Sequence, residues 1–307
     1  AFIDPLSGAF ANAGESSLRH FRAAAEWIAR GRPLEIVGFD NKAQAQESLV
    51  QLRLAIDQGF RYVVQGQSSA AAAALADAIA KHNEREPQKA VLFLNYAALD
   101  PELTNARCNF WHFRFDAHSD MRLEALLAAL AGDQSVKSVY LIGQNYSFGQ
   151  QVARGAREIL ARRRPDVKIA GDELHPLGQV KDFAPYAAKI RSSGADAVIT
   201  GNWGNDLALL VRAAREAGVT ARFYTFYAGS LGAVPAIGEA GVGRVKQVNE
   251  WHANVPSREL ADYAARYRAR YREDFYFMRI NTLVGMLDRA LAETGSATPL
   301  AVARRLA

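Results

Sequence analysis

The sequence predicts an α/β protein made of two doubly wound parallel-sheet lobes. Three observations carry this prediction. Short strand-like runs alternate with helical periods along nearly all of the 307 residues. That length suits about two domains of roughly 150 residues each. A strand–loop–helix–strand unit also recurs in both halves of the chain.

The opening AFIDPLSGAFANAG reads as the tail of a first strand running into its loop. Further strands are predicted at LEIVGF (34–39), RYVVQ (61–65), AVLFLN (90–95), SVYLIG (138–143), VKIAG (167–171), DAVITG (196–201) and RFYTFY (222–227). Between them lie apolar residues at i, i+3, i+4 and i+7, as in ESLVQLRLAI (47–56) and NDLALLVRAAREAG (205–218). Gly218 is the expected C-cap of the second helix, and Asn205 or Asp206 its N-cap. The repeat is read from RYVVQ–GQSS–helix–AVLFLN, from DAVITG–NWGND–helix–RFYTFY, and from SVYLIG–QNYSFG–QQVARGAREIL. Strands of this length alternating with helices imply parallel sheets covered on both faces. Right-handed crossovers gather the strand-to-helix loops on one edge of each sheet, where such sheets bind ligands. Both ends read as cut, with LAVARRLA closing in mid-helix, so a missing signal peptide carries no weight.

Composition removes several classes. Lys plus Arg number 37 against 32 Asp plus Glu, a net charge of only +5. Arginines in RRR (162–164) and YRARYR (267–272) read as solvated helix faces rather than a nucleic-acid surface. No apolar run approaches the ~20 residues of a membrane span. Cys108 is the only cysteine, so an intramolecular disulfide and a thiolate cluster are excluded. His112, Asp116 and His118 lie close in sequence, but they read as polar residues of a strand and turn rather than metal ligands. No metal and no cofactor is expected.

The predicted loops are aromatic. Phe10, Tyr96, Tyr146, Phe148, Trp203 and Tyr227 fall just past strand ends. One such ring is edge packing; six on one predicted edge suggest a pocket of apolar walls with a few placed polar groups. Ser68 and Ser69 stand where a strand meets an Ala-rich helix, at unpaired N–H groups that suit a carboxylate. One serine is expected to cap the helix and the other to point outward. A rival reading takes GQSSA as the nucleophile elbow of a serine esterase, with His252 and Asp262 later in the chain. No HG-type oxyanion motif supports it, and glycine-rich nucleotide fingerprints are absent.

With those loops in hand, the sequence resembles the periplasmic substrate-binding proteins of branched-chain amino acid ABC importers, the type I periplasmic binding proteins. The resemblance runs through SGAFANAG, VGFDNKAQAQESLVQL, YVVQGQSSAAAAALADA, LNYAALDPELT, FWHFRFD, SVYLIGQNYSFGQQVARGAREIL and SSGADAVITGNWGNDLALLVRAAREAGV. It implies two lobes with a hinge and a ligand held in the cleft. Crossovers are expected near Phe115–Ala117, near Val248–Trp251 and beyond the present C-terminus. The implied lobes are 1–116 plus 250–307, and 117–249.

The resemblance also assigns site positions. It places the carboxylate end of the ligand at Ser68, Ser69 and the backbone N–H groups of Ala97 and Ala98, with Leu99 where the family carries a threonine. Tyr227 stands where an acidic residue pairs with an α-ammonium, Phe148 where a tyrosine is common, and Ala13 where the first loop often carries a bulky aromatic. Arg114 and Trp251, near the crossovers, are candidates for the cleft floor, unless Arg114 pairs with Asp116 or Asp120. An ammonium facing this wall would be buried without a counter-charge, which is costly. The expected ligand is therefore a small carboxylate lacking an α-amino group, an aromatic or other hydrophobic acid. Alternatives are a branched-chain or other hydrophobic amino acid, or an amide-sensor-like receptor. The implied role is binding rather than catalysis, in the periplasm, by a monomer whose lobes close on the ligand and dock on a membrane permease.

Overall fold

The computed structural model describes residues 1–230 and 232–307. The chain divides into two compact units, Ala1–Asp116 with Glu250–Ala307, and Ala117–Asn249. Each carries a five-stranded, all-parallel sheet flanked by helices, the predicted fold class.

The first unit begins with β1 (Phe2–Asp4), α1 (Ala11–Trp27), β2 (Gly38–Asp40), α2 (Ala45–Asp57), β3 (Tyr62–Gln65), α3 (Ser69–Arg85), β4 (Leu92–Asn95) and β5 (His112–Arg114). Its sheet order is β2-β1-β3-β4-β5. Central strands are continuous apolar runs, such as Leu92, Phe93 and Leu94, because helices cover both faces. LEIVGF contributes only its end: Gly38–Asp40 pair with Phe2–Asp4, and Val37 accepts from the Phe2 N–H at 2.8 Å. Residues 34–36 have no ladder, because an edge strand needs only the register its neighbour offers.

The second unit contains α4 (Ser119–Ala131), β6 (Ser138–Gln144), α5 (Ser147–Arg163), β7 (Lys168–His175), α6 (Ala184–Ser193), β8 (Ala197–Thr200), α7 (Gly204–Glu216), β9 (Arg222–Thr225), α8 (Ala233–Ile237) and β10 (Val245–Gln247). Its order is β10-β9-β8-β6-β7. Counted from its own first strand this is 2-1-3-4-5, the order of the first sheet, so the weak repeat in the sequence is a repeated topology. Both repeats use one device: a Cβ on Gly14 or on Gly149 would lie 1.8 Å from the Pro5 or Gln144 carbonyl oxygen. Only glycine lets the helix that follows the first strand of each sheet pass so close to that strand's end.

The chain returns to the first unit with α9 (Arg258–Tyr271), α10 (Met278–Thr294) and α11 (Pro299–Leu306). Arg279 on α10 holds both ends of that unit where the chain leaves and re-enters it, at 3.1 Å from Asp116 and through a second ion pair with Glu250. β10 escaped the sequence reading, since VKQ is too short and too polar to show a strand period.

Several local expectations change. α7 starts at Gly204 with Trp203 as N-cap, ahead of Asn205 and Asp206, because the Asp206 carboxylate turns away to accept from Gln144 and Gly178. Gly218 does end that helix, at φ +72°. Arg164 of the RRR run is buried rather than solvated, its guanidinium donating to the carbonyls of Leu130, Asp133 and Val136. Trp251 is buried against Phe275, with its indole N–H on the Phe275 carbonyl at 3.2 Å. It packs into the core cluster of the first unit with Tyr267 and Phe275.

Candidate functional site

In each sheet the strand order reverses at one point, between β1 and β3 in the first and between β6 and β8 in the second. Loops leaving the carboxyl ends there diverge and open a crevice. The predicted site residues gather at these two edges, and each edge is described separately.

In the first unit the edge is organised by a residue that sequence reasoning missed. Asp4, at the end of β1, is fully buried. Its Oδ1 accepts from the Gln65 side chain at 3.0 Å and the Gln67 N–H at 3.1 Å. Its Oδ2 accepts from the Gly66 N–H at 3.1 Å and the Tyr96 hydroxyl at 2.8 Å. Burial pushes this carboxyl up to about 7, against four donors that favour the ionised form. Four donors on one carboxylate pin the loop that leads into α3, and so place both serines.

Ser68 is the cap. It is extended at φ −150°, ψ 120°, and its Oγ accepts from the Ala71 N–H at 3.3 Å. Ser69 opens the helix, and its Oγ accepts from the Asp100 N–H at 3.3 Å, tying α3 to the loop after β4. Both are buried, so the expectation of one outward-pointing serine is corrected: the neighbouring loop lies close enough to use the second hydroxyl. The extended, unstrained backbone of Ser68 also removes the nucleophile elbow that suggested an esterase, since an elbow demands a strained turn.

The loop after β4 departs further from expectation. Ala97 and Ala98 donate their N–H groups to the Asn95 side chain, at 3.1 and 2.7 Å. Those amides, expected to face a ligand, satisfy an Asx turn instead. Leu99 is buried beside them. Tyr96 is fully enclosed, stacked on Phe2 at 6.1 Å with Phe21 and Phe277 edge-on, so its ring belongs to the core and its hydroxyl to Asp4. Arg114 is half-buried at the end of β5, within the electrostatic reach of Asp116. Its guanidinium donates to the Asp100 carbonyl at 3.0 Å and to Thr104, and burial lowers its pKa. Phe10 is buried where the loop after β1 enters α1, with Ala13 in the first turn of that helix.

The second unit brings its candidates together. Tyr146 follows β6 as N-cap of α5, and Trp203 follows β8 as N-cap of α7. The Trp203 indole N–H donates to the Tyr146 hydroxyl at 2.9 Å, a bond that spans the switch point. Phe148, on the first turn of α5, lies 6.0 Å from Tyr146, 5.7 Å from Phe226 and 6.1 Å from Tyr227 between ring centroids. Below them Gln144, at the end of β6, donates to the Trp203 carbonyl at 3.2 Å and to Asp206 at 2.8 Å. This edge gathers aromatic rings, Phe148 and Trp203 buried and Tyr146 and Tyr227 half-buried, with the Tyr146 hydroxyl held by the Trp203 indole.

A second missed residue is Arg122 on α4, buried, with its guanidinium carbon 6.0 Å from the centre of the Tyr227 ring. The signal was present in SDMRLEALLAAL: Arg122 falls on the stripe of Leu123, Leu126, Leu127 and Leu130 that α4 buries.

Comparisons with known proteins agree with this architecture. A family model described as periplasmic binding protein matches residues 1–307. A Leu/Ile/Val-binding protein homologue of Brucella abortus is 35% identical over 218 residues, which are 68% of this chain and 51% of that protein. The chain thus spans about half the length of the curated relatives it matches. The leucine-, isoleucine-, valine-, threonine- and alanine-binding protein of Brucella ovis, in a closed conformation, superposes with a TM-score of 0.81 at 26% identity, covering 99% of this chain and 80% of that one. A solute-binding protein of an R. palustris ABC transporter, in complex with benzoate, gives a TM-score of 0.85 at 17% identity, covering 100% and 83%.

Proposed function

We infer the function from one premise: this chain belongs to the periplasmic binding protein family. It is the solute-binding component of an ABC importer, working in the periplasm and delivering its ligand to a membrane permease. Its ligand is a small carboxylate without an α-amino group, an aromatic or other hydrophobic acid, and its work is binding rather than catalysis.

The observation that carries this reading is the wall of the second unit. Tyr146, Phe148, Trp203 and Tyr227 present rings and one hydrogen-bonded hydroxyl at the strand ends. The nearby Asp206 carboxylate is engaged by Gln144 and by the Gly178 N–H, each at 2.8 Å. Rings of this kind offer a large apolar contact area at low entropic cost, which suits an aromatic acid. At the first unit's edge, the N-terminus of α3, capped by Ser68 and opened by Ser69, supplies the dipole that favours a carboxylate, with Ala97 and Leu99 in the loop tied to it through Asp100. The fold holds benzoate in the R. palustris protein, so the scaffold has room for an acid of this class.

A second reading is capture of a hydrophobic amino acid, favoured by the name of the 35% identical Brucella abortus relative. Thermal unfolding with leucine, benzoate and 3-phenylpropenoate separates the two. A true ligand at one hundred times its dissociation constant adds about 2.7 kcal/mol. Stabilisation by the acids and not by leucine is the expected result. Stabilisation by leucine at equal or lower concentration would replace the first reading with the second.

A further inference from the structure

The first sheet ends two neighbouring strands in carboxylates. Asp4 and Asp40 are paired across β1 and β2 in parallel register, each the last residue of its strand. Each side chain reaches one strand along the order β2-β1-β3. Asp4 holds Gly66 and Gln67 in the loop after β3. Asp40 holds the loop after β1: its Oδ1 accepts from the Leu6 N–H at 2.8 Å and its Oδ2 from the Ser7 hydroxyl at 2.5 Å. Those two loops leave the carboxyl ends of the strands that flank the switch point, so they are the two lips of the crevice in this unit.

The outer part of the loop after β1 lies in solvent. Ser7, Gly8 and Ala9 are exposed, and the Ser7 hydroxyl goes to Asp40 rather than capping the short turn Gly8–Phe10. Asp40 in turn is fixed by a strained segment. Lys42 and Ala43 both lie in the left-handed region, at φ 52° and 59°, which residues with a Cβ disfavour. The Lys42 N–H returns to Asp40 Oδ1 and the Ala43 N–H to Asn41 Oδ1, each at 2.9 Å. The buried Asn41 donates its amide to the Ile3 carbonyl at 3.3 Å and to the Ser48 hydroxyl at 3.0 Å. Strain of this kind persists only where the surroundings over-determine it, and it gathers at segments whose shape serves binding.

We infer that Asp40 is a positioning residue for ligand binding: through Leu6 and Ser7 it holds the loop after β1 in the shape that a ligand meets. Its action runs through the loop rather than by contact. The inference rests on the binding role proposed above and adds the brace that prepares one lip of the crevice.

The test compares Asp40→Ala, Asp40→Asn, Ser7→Ala and Leu52→Ala with the wild-type chain. Leu52 packs in the core on α2, so its truncation weakens the same unit without removing a hydrogen bond from the loop. In the ligand-free proteins, amide exchange at residues 6–10 should rise roughly tenfold in Asp40→Ala. The rise should be smaller in Ser7→Ala, and Leu52→Ala should show no rise there beyond its global change. Titration with benzoate and with leucine reads the consequence. Asp40→Ala should bind whichever of them the wild type binds roughly tenfold more weakly, as for a loop that holds its binding shape about a tenth of the time. Asp40→Asn, whose Oδ1 still accepts, should recover most of that loss, and Leu52→Ala should show none. Should Asp40→Ala not fold, Ser7→Ala carries the test with a smaller change in the same direction. Unchanged exchange at residues 6–10 in both loop variants overturns the brace. Faster exchange with undiminished affinity, or an equal loss in Leu52→Ala, overturns its role in binding. If the wild type binds neither benzoate nor leucine, the ligand classes proposed above fail, and the exchange result alone decides the hold of Asp40 on the loop.

Discussion

The two sheets share one strand order and differ in what closes their switch points. In the first unit a buried carboxylate does it: Asp4 accepts two backbone N–H groups, an amide and a hydroxyl from the loop after β3 and from Tyr96. In the second the equivalent strand ends in Gln144, which donates to Trp203 and Asp206, and the crevice above is bridged by the Trp203–Tyr146 hydrogen bond. One edge uses its polar groups to hold its own loops; the other packs aromatic rings, with the buried Arg122 guanidinium beside Tyr227. A repeated topology thus sets where the loops gather, while the residues one or two positions past each strand decide the chemistry of each edge.

That contrast can be broken first at the strand ends. Asp4→Ala leaves four donors without an acceptor and should cost about 3–5 kcal/mol. Gln144→Ala should cost about 1–2 kcal/mol, since the acceptors it abandons are fewer and one is already engaged by Gly178. Urea unfolding of the two variants compares them directly, and equal losses would mean that the charge in the first unit has no special structural role.

Acid offers a finer probe, because the first unit holds two buried neutral histidines. His20 accepts the Tyr276 N–H on Nε2 at 3.1 Å, and burial lowers its pKa to about 3. Burial lowers His112 to about 4, with Nδ1 on the Leu103 carbonyl. Folded values below the ordinary ~6.5 mean that the unfolded chain takes up protons first. Their stabilisation is complete above about pH 6.5 and declines as pH falls toward about 4 for His112 and about 3 for His20, by ~2 kcal/mol per histidine at pH 5. Asp4 acts in the opposite sense. Its folded value of about 7 lies above the unfolded one, so the cost of ionising it is relieved as pH falls from 7 toward 4. The two effects offset each other in wild type. Asp4→Asn should therefore become more acid-sensitive than wild type between pH 7 and 5, and amide exchange should place the added opening in the first unit. A parallel pH profile for the two proteins would contradict the assignment of Asp4.

The smallest effect sharpens the comparison at the two serines. Ser68→Ala removes a cap and should cost about 1 kcal/mol, without changing ligand affinity. Thermal unfolding and titration with benzoate read the two quantities separately, and a loss of affinity without a loss of stability would reverse the role given to Ser68.

Much of the fold was legible because alternation, strand length and cap signals are local. GQSSAAAAALADAIA announces a strand end, a cap and a helix, and Gly218 announces a helix end. The aromatic wall was legible for the same reason, since Tyr146, Trp203 and Tyr227 each sit just past a strand. The failures share a cause as well. Tyr96 occupies the same kind of position but points into the core, because Phe2, Phe21 and Phe277 from three other segments surround it. The Ala97 and Ala98 amides looked available until Asn95 was seen to take them. Asp4 was one acid in a short strand, and Arg122 one arginine in a helix.

From sequence alone came the α/β class, the two-lobe repeat and the clustering of aromatics just past the strand ends, all properties written in residue order at spacings of a few positions. Tertiary structure alone decided which of two adjacent serines caps the helix, that Asp4 holds the loop beneath them, and that a guanidinium stands beside Tyr227. Those facts depend on side chains from distant segments meeting in three dimensions. A hydrogen bond or a buried charge is defined by its partner, and no local pattern names a partner 62 or 105 residues away.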